Sequence, residues 1–315
     1  MKPEILALVP IYAPTLAELE REYTVHKFWT APDADALMSQ VAGSVTAVVT
    51  TGLAGFTRHH VEALPRLKLI ACFGNPHGTA AEDKAAARAR GIAVTNTPDT
   101  ISTIVADLAF GLVVTVMRRI VAGDRLVRAG KWPDGPPVPG RDLGGKTCGI
   151  IGLGAIGREI ARRAEVFGMK VRYHGPRAKP DVPWPYHADL VEMARLSDCL
   201  VAMCPLTPAT RGLVNARVLD ALGPEGYMVN AARGPVVDQQ ALIAALKERR
   251  IAGAALDVFW DEPNVPAEFI AMENVVLTPH IGSTTREIRE ERGRKMLANL
   301  RAHFAGKPVL NPVTS

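Results

Sequence analysis

The chain is short of cysteine, of long hydrophobic runs and of segregated charge, and each shortage removes a class of protein. Its four cysteines, Cys72, Cys148, Cys199 and Cys204, lie in or beside apolar, strand-like segments without metal-ligand spacing. Neither a zinc site nor a disulfide framework is predicted; reduced, buried thiols in the cytoplasm are. The apolar runs at residues 5–11 and 110–116 are too short to span a bilayer, and Met1-Lys2-Pro3-Glu4 lacks the pattern of a signal peptide. No internal repeat or low-complexity tract is present. The formal charge of +5 and pI near 9.1 could suggest nucleic acid, but the Lys and Arg residues alternate with acids along helices. That pattern is a solvated surface with a modest attraction for anionic ligands, and neither nucleic acid nor membrane is expected as a partner.

What is present is 315 residues with 48% hydrophobic content, enough for two cores and therefore two domains. Residues 5–9, 47–51, 67–73 and 92–96 read as strands, with a helix at 80–90, the rhythm of an α/β layer domain with a parallel sheet. Thr97-Pro98-Asp99 marks a boundary. Residues 101–119 read as a long helix too apolar to leave in water, packing between domains or subunits, and the Gly- and Pro-rich stretch 130–145 as a linker or arm. From Lys146 the alternation resumes, with strands near 146–152, 170–173, 199–203, 227–230, 254–256 and 275–277 and helices near 158–168, 190–196 and 239–249. The last helix, about 285–304, keeps Ile288, Met296, Leu297 and Leu300 for burial and returns to the first domain. The expected domains are residues 1–97 with 286–315, and 98–285 with the apolar helix and arm.

Gly152-Leu153-Gly154-Ala155-Ile156-Gly157 follows the apolar run 148–151 and precedes a stretch of helical periodicity. Glycines at this strand-to-helix turn let the backbone approach a pyrophosphate, whose charge the helix N-terminus stabilises, so a dinucleotide is the expected ligand at Gly152, Gly154, Ala155, Ile156 and Gly157. The next strand ends in Tyr173-His174-Gly175-Pro176-Arg177. A carboxylate near His174 would accept hydrogen bonds from the ribose hydroxyls of NAD and repel a 2′-phosphate, and none is there. With His174 and Gly175 lining the ribose and Arg177 and Lys179 available to a phosphate, NADP(H) is favoured over NAD(H).

Three later stretches each put a polar side chain where a strand of the second domain should end: Arg233 in 230–235, Glu262 in 256–263 and His280 in 278–283. Such ends are where doubly wound sheets hold their ligands. An arginine, a glutamate and a histidine near a nicotinamide suit reduction of an anionic 2-keto acid, whose carboxylate needs a fixed cation and whose carbonyl oxygen needs a proton.

Together with Asn96-Thr97-Pro98, Val105-Ala106-Asp107, Gly144-Gly145-Lys146-Thr147 and Pro205-Leu206-Thr207, these motifs resemble the D-isomer-specific 2-hydroxyacid dehydrogenase family over nearly the whole length. Ala221-Leu222-Gly223-Pro224-Glu225-Gly226 draws the resemblance toward glyoxylate/hydroxypyruvate reductases and hydroxyphenylpyruvate reductases. It implies two doubly wound parallel-sheet domains, a Rossmann cofactor domain and a flavodoxin-like substrate domain, in a homodimer. It also implies roles: His280 as general acid, Glu262 holding the second imidazole nitrogen, and Arg233 clamping the carboxylate with its planar fork. Asp257 would contact the nicotinamide carboxamide, and Cys204, Pro205, Thr210, Ala231, Ala232 and Gly282 would complete the cofactor site, with no metal. On the substrate side, His77-Gly78 takes the place of a Val-Gly pair after a short insertion, and Thr51 forms a pocket wall. The rival implied by the same fold is a non-catalytic, dinucleotide-sensing module like the transcriptional corepressors. It would need a peptide cleft on the first domain and regulatory tails, whereas this chain is expected to start and end almost at its domain limits.

Overall fold

The computed structural model describes residues 2–76, 78–98 and 101–313. It divides into two compact units, Met1–Thr100 with Thr285–Ser315, and Ile101–Thr284. In the first, β1 (Glu4–Ala7), α1 (Ala13–Glu22), β2 (Thr24–Lys27), α2 (Ala34–Val41), β3 (Ala47–Thr51), α3 (Arg58–Ala63), β4 (Leu69–Phe73), α4 (Ala81–Ala89) and β5 (Ala93–Thr95) follow in order. The strands pair in parallel as β2-β1-β3-β4-β5, the flavodoxin-like order. A parallel sheet covered on both faces needs strands apolar at every position. Accordingly Val48 and Ile70 enter one core while their neighbours Val49 and Ala71 enter the other.

The second unit runs α5 (Ser102–Met117), α6 (Ile120–Arg128), β6 (Thr147–Ile151), α7 (Ala155–Val166), β7 (Lys170–His174), β8 (Tyr186–His187), α8 (Leu190–Arg195), β9 (Cys199–Ala202), α9 (Ala216–Leu222), β10 (Tyr227–Asn230), α10 (Gln239–Lys247), β11 (Gly253–Leu256), α11 (Ala267–Ala271) and β12 (Val275–Leu277). Its seven strands are parallel in the order β12-β11-β10-β9-β6-β7-β8. Direction of winding reverses between β6 and β9, and the carboxyl ends of those strands form the crevice where a dinucleotide sits in a Rossmann sheet. The final helix, α12 (Arg286–Phe304), belongs to the first unit and buries Met296, Leu297 and Leu300 in the core shared with β1, β3 and β4.

Several elements differ from expectation. The apolar helix α5 packs on α7, β10, β11 and β12 of its own unit, with Ala106, Ala109, Phe110 and Val113 in the same core as Ile150, Ile160 and Val229. Much of its apolar surface is thus buried within its own unit. The sheet edge β2 and helices α1, α2 and α3 carried too few buried residues to show a period; α1 buries only Thr15 and Leu19. Within the arm, Trp132–Asp134 forms one 3-10 turn, and residues 131–140 are exposed. Asp99, used above as a boundary signal, lies outside the described residues. Among the described residues no helix is long and apolar enough to cross a membrane.

Candidate active site

The glycine turn is built by close approach. Gly152 leaves β6 with φ +99°, and a Cβ there would lie 2.7 Å from the Met203 carbonyl oxygen and 2.8 Å from Cys204 Cα, just past β9. A Cβ on Gly157 would lie 2.3 Å from the Gly152 carbonyl oxygen, so its absence lets α7 start tight against the strand. Gly154 is different. Nothing stands within 4 Å of where its Cβ would be, and as N-cap of α7 it offers no side chain to the helix's first amides. Open space in front of uncapped helix amides fits a pyrophosphate.

Around this turn Ala231 and Ala232 are buried, and Thr210 closes its own loop, accepting from the Thr207 amide (2.8 Å) and donating to the Pro205 carbonyl (2.6 Å). Cys204 is half-buried, and burial raises its thiol. At the end of β7, His174 Nδ1 donates to the His187 carbonyl (3.0 Å), which leaves Nε2 for another partner. Arg177 is exposed beyond it.

His280 is held by two carboxylates with separate tasks. Asp257, 1% exposed after β11, accepts from Thr278 Oγ1 (2.6 Å) and the Ile281 amide (2.9 Å) on one oxygen, and from the Gly282 amide (2.9 Å) on the other. Its backbone carbonyl also accepts from the His280 amide at 2.9 Å. These bonds wrap residues 278–282 around Asp257 and keep His280 at φ +52°, a left-handed conformation that a non-glycine residue holds only when its surroundings dictate it. Glu262 then takes the ring: Nδ1 lies 2.6 Å from its Oε2, while its Oε1 accepts from the Phe259 amide at 2.9 Å. An ionised carboxylate only accepts, so Nδ1 carries a proton and Nε2 is the free nitrogen. The His280 side chain is 37% exposed and that of Glu262 22%, which leaves the ring within reach of a small molecule.

Arg233 follows β10, exposed, with Nη1 donating to the Ala232 carbonyl at 2.6 Å. A Cβ on the next residue, Gly234, would lie 2.2 Å from the Phe259 carbonyl, so the loops bearing Arg233 and Glu262 are pressed together. Asn230 was not singled out from the sequence. Its fully buried amide accepts from the Ala232 amide and donates to the Arg233 carbonyl, both at 3.1 Å, and so shapes the Arg233 loop. The available signal was a lone amide closing the apolar strand Tyr227-Met228-Val229.

In the first unit, Thr51 ends β3 and its hydroxyl accepts from the Ala54 amide (3.2 Å). The Gly78 amide donates to the Gly52 carbonyl (2.8 Å), which brings the two predicted substrate loops together at their backbones. His77 lies outside the described residues. Among the described residues no three His, Cys, Asp or Glu side chains gather as a metal site.

A Rossmann turn, a histidine–carboxylate pair and an arginine at neighbouring strand ends suit a dinucleotide-linked dehydrogenase of anionic carbonyl compounds. Residues 110–282 match the NAD binding domain of the D-isomer specific 2-hydroxyacid dehydrogenases, and the chain belongs to that family. It is therefore an NAD(P)-dependent oxidoreductase. It is 44% identical over 309 residues, 98% of either chain, to glyoxylate/hydroxypyruvate reductase A of Arabidopsis thaliana. It is 42% identical over 309 residues, again 98% of each, to hydroxyphenylpyruvate reductase of Plectranthus scutellarioides. A solved structure of the NADPH-dependent glyoxylate/hydroxypyruvate reductase of Sinorhizobium meliloti, in complex with NADP and malonate, superposes with a TM-score of 0.83 at 36% identity, covering 100% of this chain and 97% of that one. None of these relatives supports a non-catalytic module.

Proposed function

We propose that the protein reduces a small 2-keto acid of the glyoxylate or hydroxypyruvate type to the D-2-hydroxy acid, prefers NADPH over NADH, and works as a homodimer in the cytoplasm. The observation that carries this reading is the 2.6 Å contact between His280 Nδ1 and Glu262, which leaves Nε2 to deliver a proton. The glycine turn would hold the pyrophosphate of the dinucleotide, whose nicotinamide would supply the hydride. The imidazolium form of His280 gives its Nε2 proton to the carbonyl oxygen as that oxygen gains charge, leaving the neutral ring with its remaining proton on Nδ1, which Glu262 accepts and thereby orients. Arg233 clamps the substrate carboxylate, for which the planar fork of a guanidinium is suited. Asp257 positions His280 through the loop it gathers. Thr51 and Gly78 enter as substrate contacts through the family resemblance.

NADPH preference draws on the missing carboxylate after β7, on exposed Arg177, and on the NADPH-dependent relative above. Dimerisation draws on the exposed apolar residues Ile120, Val127, Trp132 and Val138 along α6 and the arm. Buried, unpaired Cys72, Cys148 and Cys199 suit the cytoplasm. The test is a matrix of glyoxylate, hydroxypyruvate, pyruvate and phenylpyruvate against NADPH and NADH, followed at the nicotinamide absorbance band. Turnover is expected to be best with a small keto acid and NADPH; no turnover with any pair would overturn the reading.

A further inference from the structure

The segment between β7 and β8 is fastened at every turn. Two tyrosines staple its ends: Tyr173, 1% exposed, accepts the Lys179 amide on its hydroxyl at 2.7 Å, and the Tyr186 hydroxyl donates to the Gly175 carbonyl at 3.1 Å. Trp184 Nε1 donates to Glu165 on α7 at 2.8 Å. Pro176, Pro180, Pro183 and Pro185 further restrict the backbone. Arg158, the residue after the glycine turn, reaches from α7 to Asp181 at 2.7 Å.

Charge is distributed unevenly in this segment. Between His174 and Pro185 the only acid is Asp181 and the only strong bases are Arg177 and Lys179. Asp181 is exposed, and the Arg158 guanidinium holds its carboxyl below the usual range, so it is an anion wherever the enzyme works. Left unpaired, that anion would bind Arg177 or Lys179 itself and would repel a phosphate arriving at the end of β7. The 2.7 Å contact with Arg158 is the first influence on that carboxylate and the attraction of Lys179 comes after it, so most of the charge is answered before it can hold the bases or repel a phosphate.

We propose that Arg158 is the positioning residue for coenzyme choice: by engaging Asp181 it cancels the one carboxylate of the 174–185 segment and leaves Arg177 and Lys179, on a stapled backbone, as the receptor for the 2′-phosphate of NADP(H). The inference rests on the coenzyme preference proposed above. Arg158 acts through Asp181 and need not touch the dinucleotide. An exposed ion pair carries little stability of its own, so its effect is to be sought in selectivity.

Binding of adenosine 2′,5′-bisphosphate and adenosine 5′-monophosphate, measured by calorimetry beside NADPH and NADH, tests this without turnover. Arg158→Met is expected to weaken the two 2′-phosphorylated ligands about three- to tenfold and to change the other two less than twofold, which also shows that the fold is intact. Adding Asp181→Asn to Arg158→Met is expected to restore 2′-phosphate binding, which a merely structural role for Arg158 does not predict. Equal weakening of all four ligands, or no restoration in the double variant, overturns the inference. The joint variant Arg177→Ala, Lys179→Ala separates the two layers: an unchanged NADPH to NADH ratio there overturns the receptor reading itself, whereas a collapsed ratio there with no effect of Arg158→Met overturns only the role of Arg158.

Discussion

The two units use the same kind of sheet and hold the loops at its carboxyl end with different emphasis. In the second unit, side chains do the holding: Asp257 gathers residues 278–282, Glu262 fixes the His280 ring, and Asn230 shapes the Arg233 loop. In the first, close backbone approach is added to threonine bonds, such as the Gly74 amide to Thr97 Oγ1 (2.7 Å) and Thr50 Oγ1 to the Gly55 carbonyl (2.6 Å). A Cβ on Gly52 would lie 2.1 Å from the Asn75 carbonyl oxygen and one on Gly78 1.7 Å from that of Leu53, so the loops after β3 and β4 interlock because side chains are missing. A group that moves a proton needs its tautomer and direction specified, which only directional side-chain partners provide. A loop that merely presents amides needs close backbone approach, which glycine permits.

Breaking the side-chain half is expected to have the largest effect. His280→Ala should lower keto-acid reduction about 10²- to 10⁴-fold while leaving dinucleotide affinity, read by nicotinamide fluorescence, within about twofold. An equal loss of both would assign His280 a folding role. Two glycine substitutions then separate packing from binding. Gly52→Ala forces backbone atoms apart and should cost about 1–3 kcal/mol of stability, seen as a lower melting temperature. Gly154→Ala meets nothing within 4 Å and has an extended backbone, so melting should be unchanged while dinucleotide affinity falls about tenfold, its methyl filling the space in front of the α7 amides. If Gly154→Ala binds as well as the parent, that space is not the pyrophosphate site.

The smallest effect concerns the cysteines, three of which, Cys72, Cys148 and Cys199, lie in β4, β6 and β9. Burial pushes the thiols of Cys72 and Cys148 up to about 12 and raises that of Cys199 as well. At pH 8 these stay protonated, and iodoacetamide is expected to label the native protein at Cys204 alone, slowly, and all four sites after unfolding in guanidinium. Rapid native labelling at Cys72 would show that the core of the first unit opens more readily than its packing implies.

How much of this was visible beforehand follows from the range of each interaction. Strands β10 and β12 and the turn at Gly152 carry local signals, apolar runs bounded by glycine or by a lone polar residue, and these survive in the chain alone. Edge strand β2 and helices α1 to α3 do not, because a half-exposed element has too few buried positions to show a period. Helix α5 showed its apolarity but not its destination, since burial against a sheet of its own unit and burial against another surface leave the same composition. Arg158 and Asp181 lie on either side of β7 and carry no mutual mark in the sequence; only the path of the segment joins them.

By itself, then, the order of residues determined the alternation of strands and helices, the glycine turn and which side chains are chemically capable of hydride-coupled proton transfer, because these depend on neighbours a few positions away. Tertiary structure alone decided that His280 meets Glu262 across 18 positions, that Asp257 spends both carboxylate oxygens on the loop carrying that histidine, and that α12 closes the first unit. The reason is distance: hydrogen bonds act over about 3 Å, and only folding brings residues so far apart in the chain within that reach.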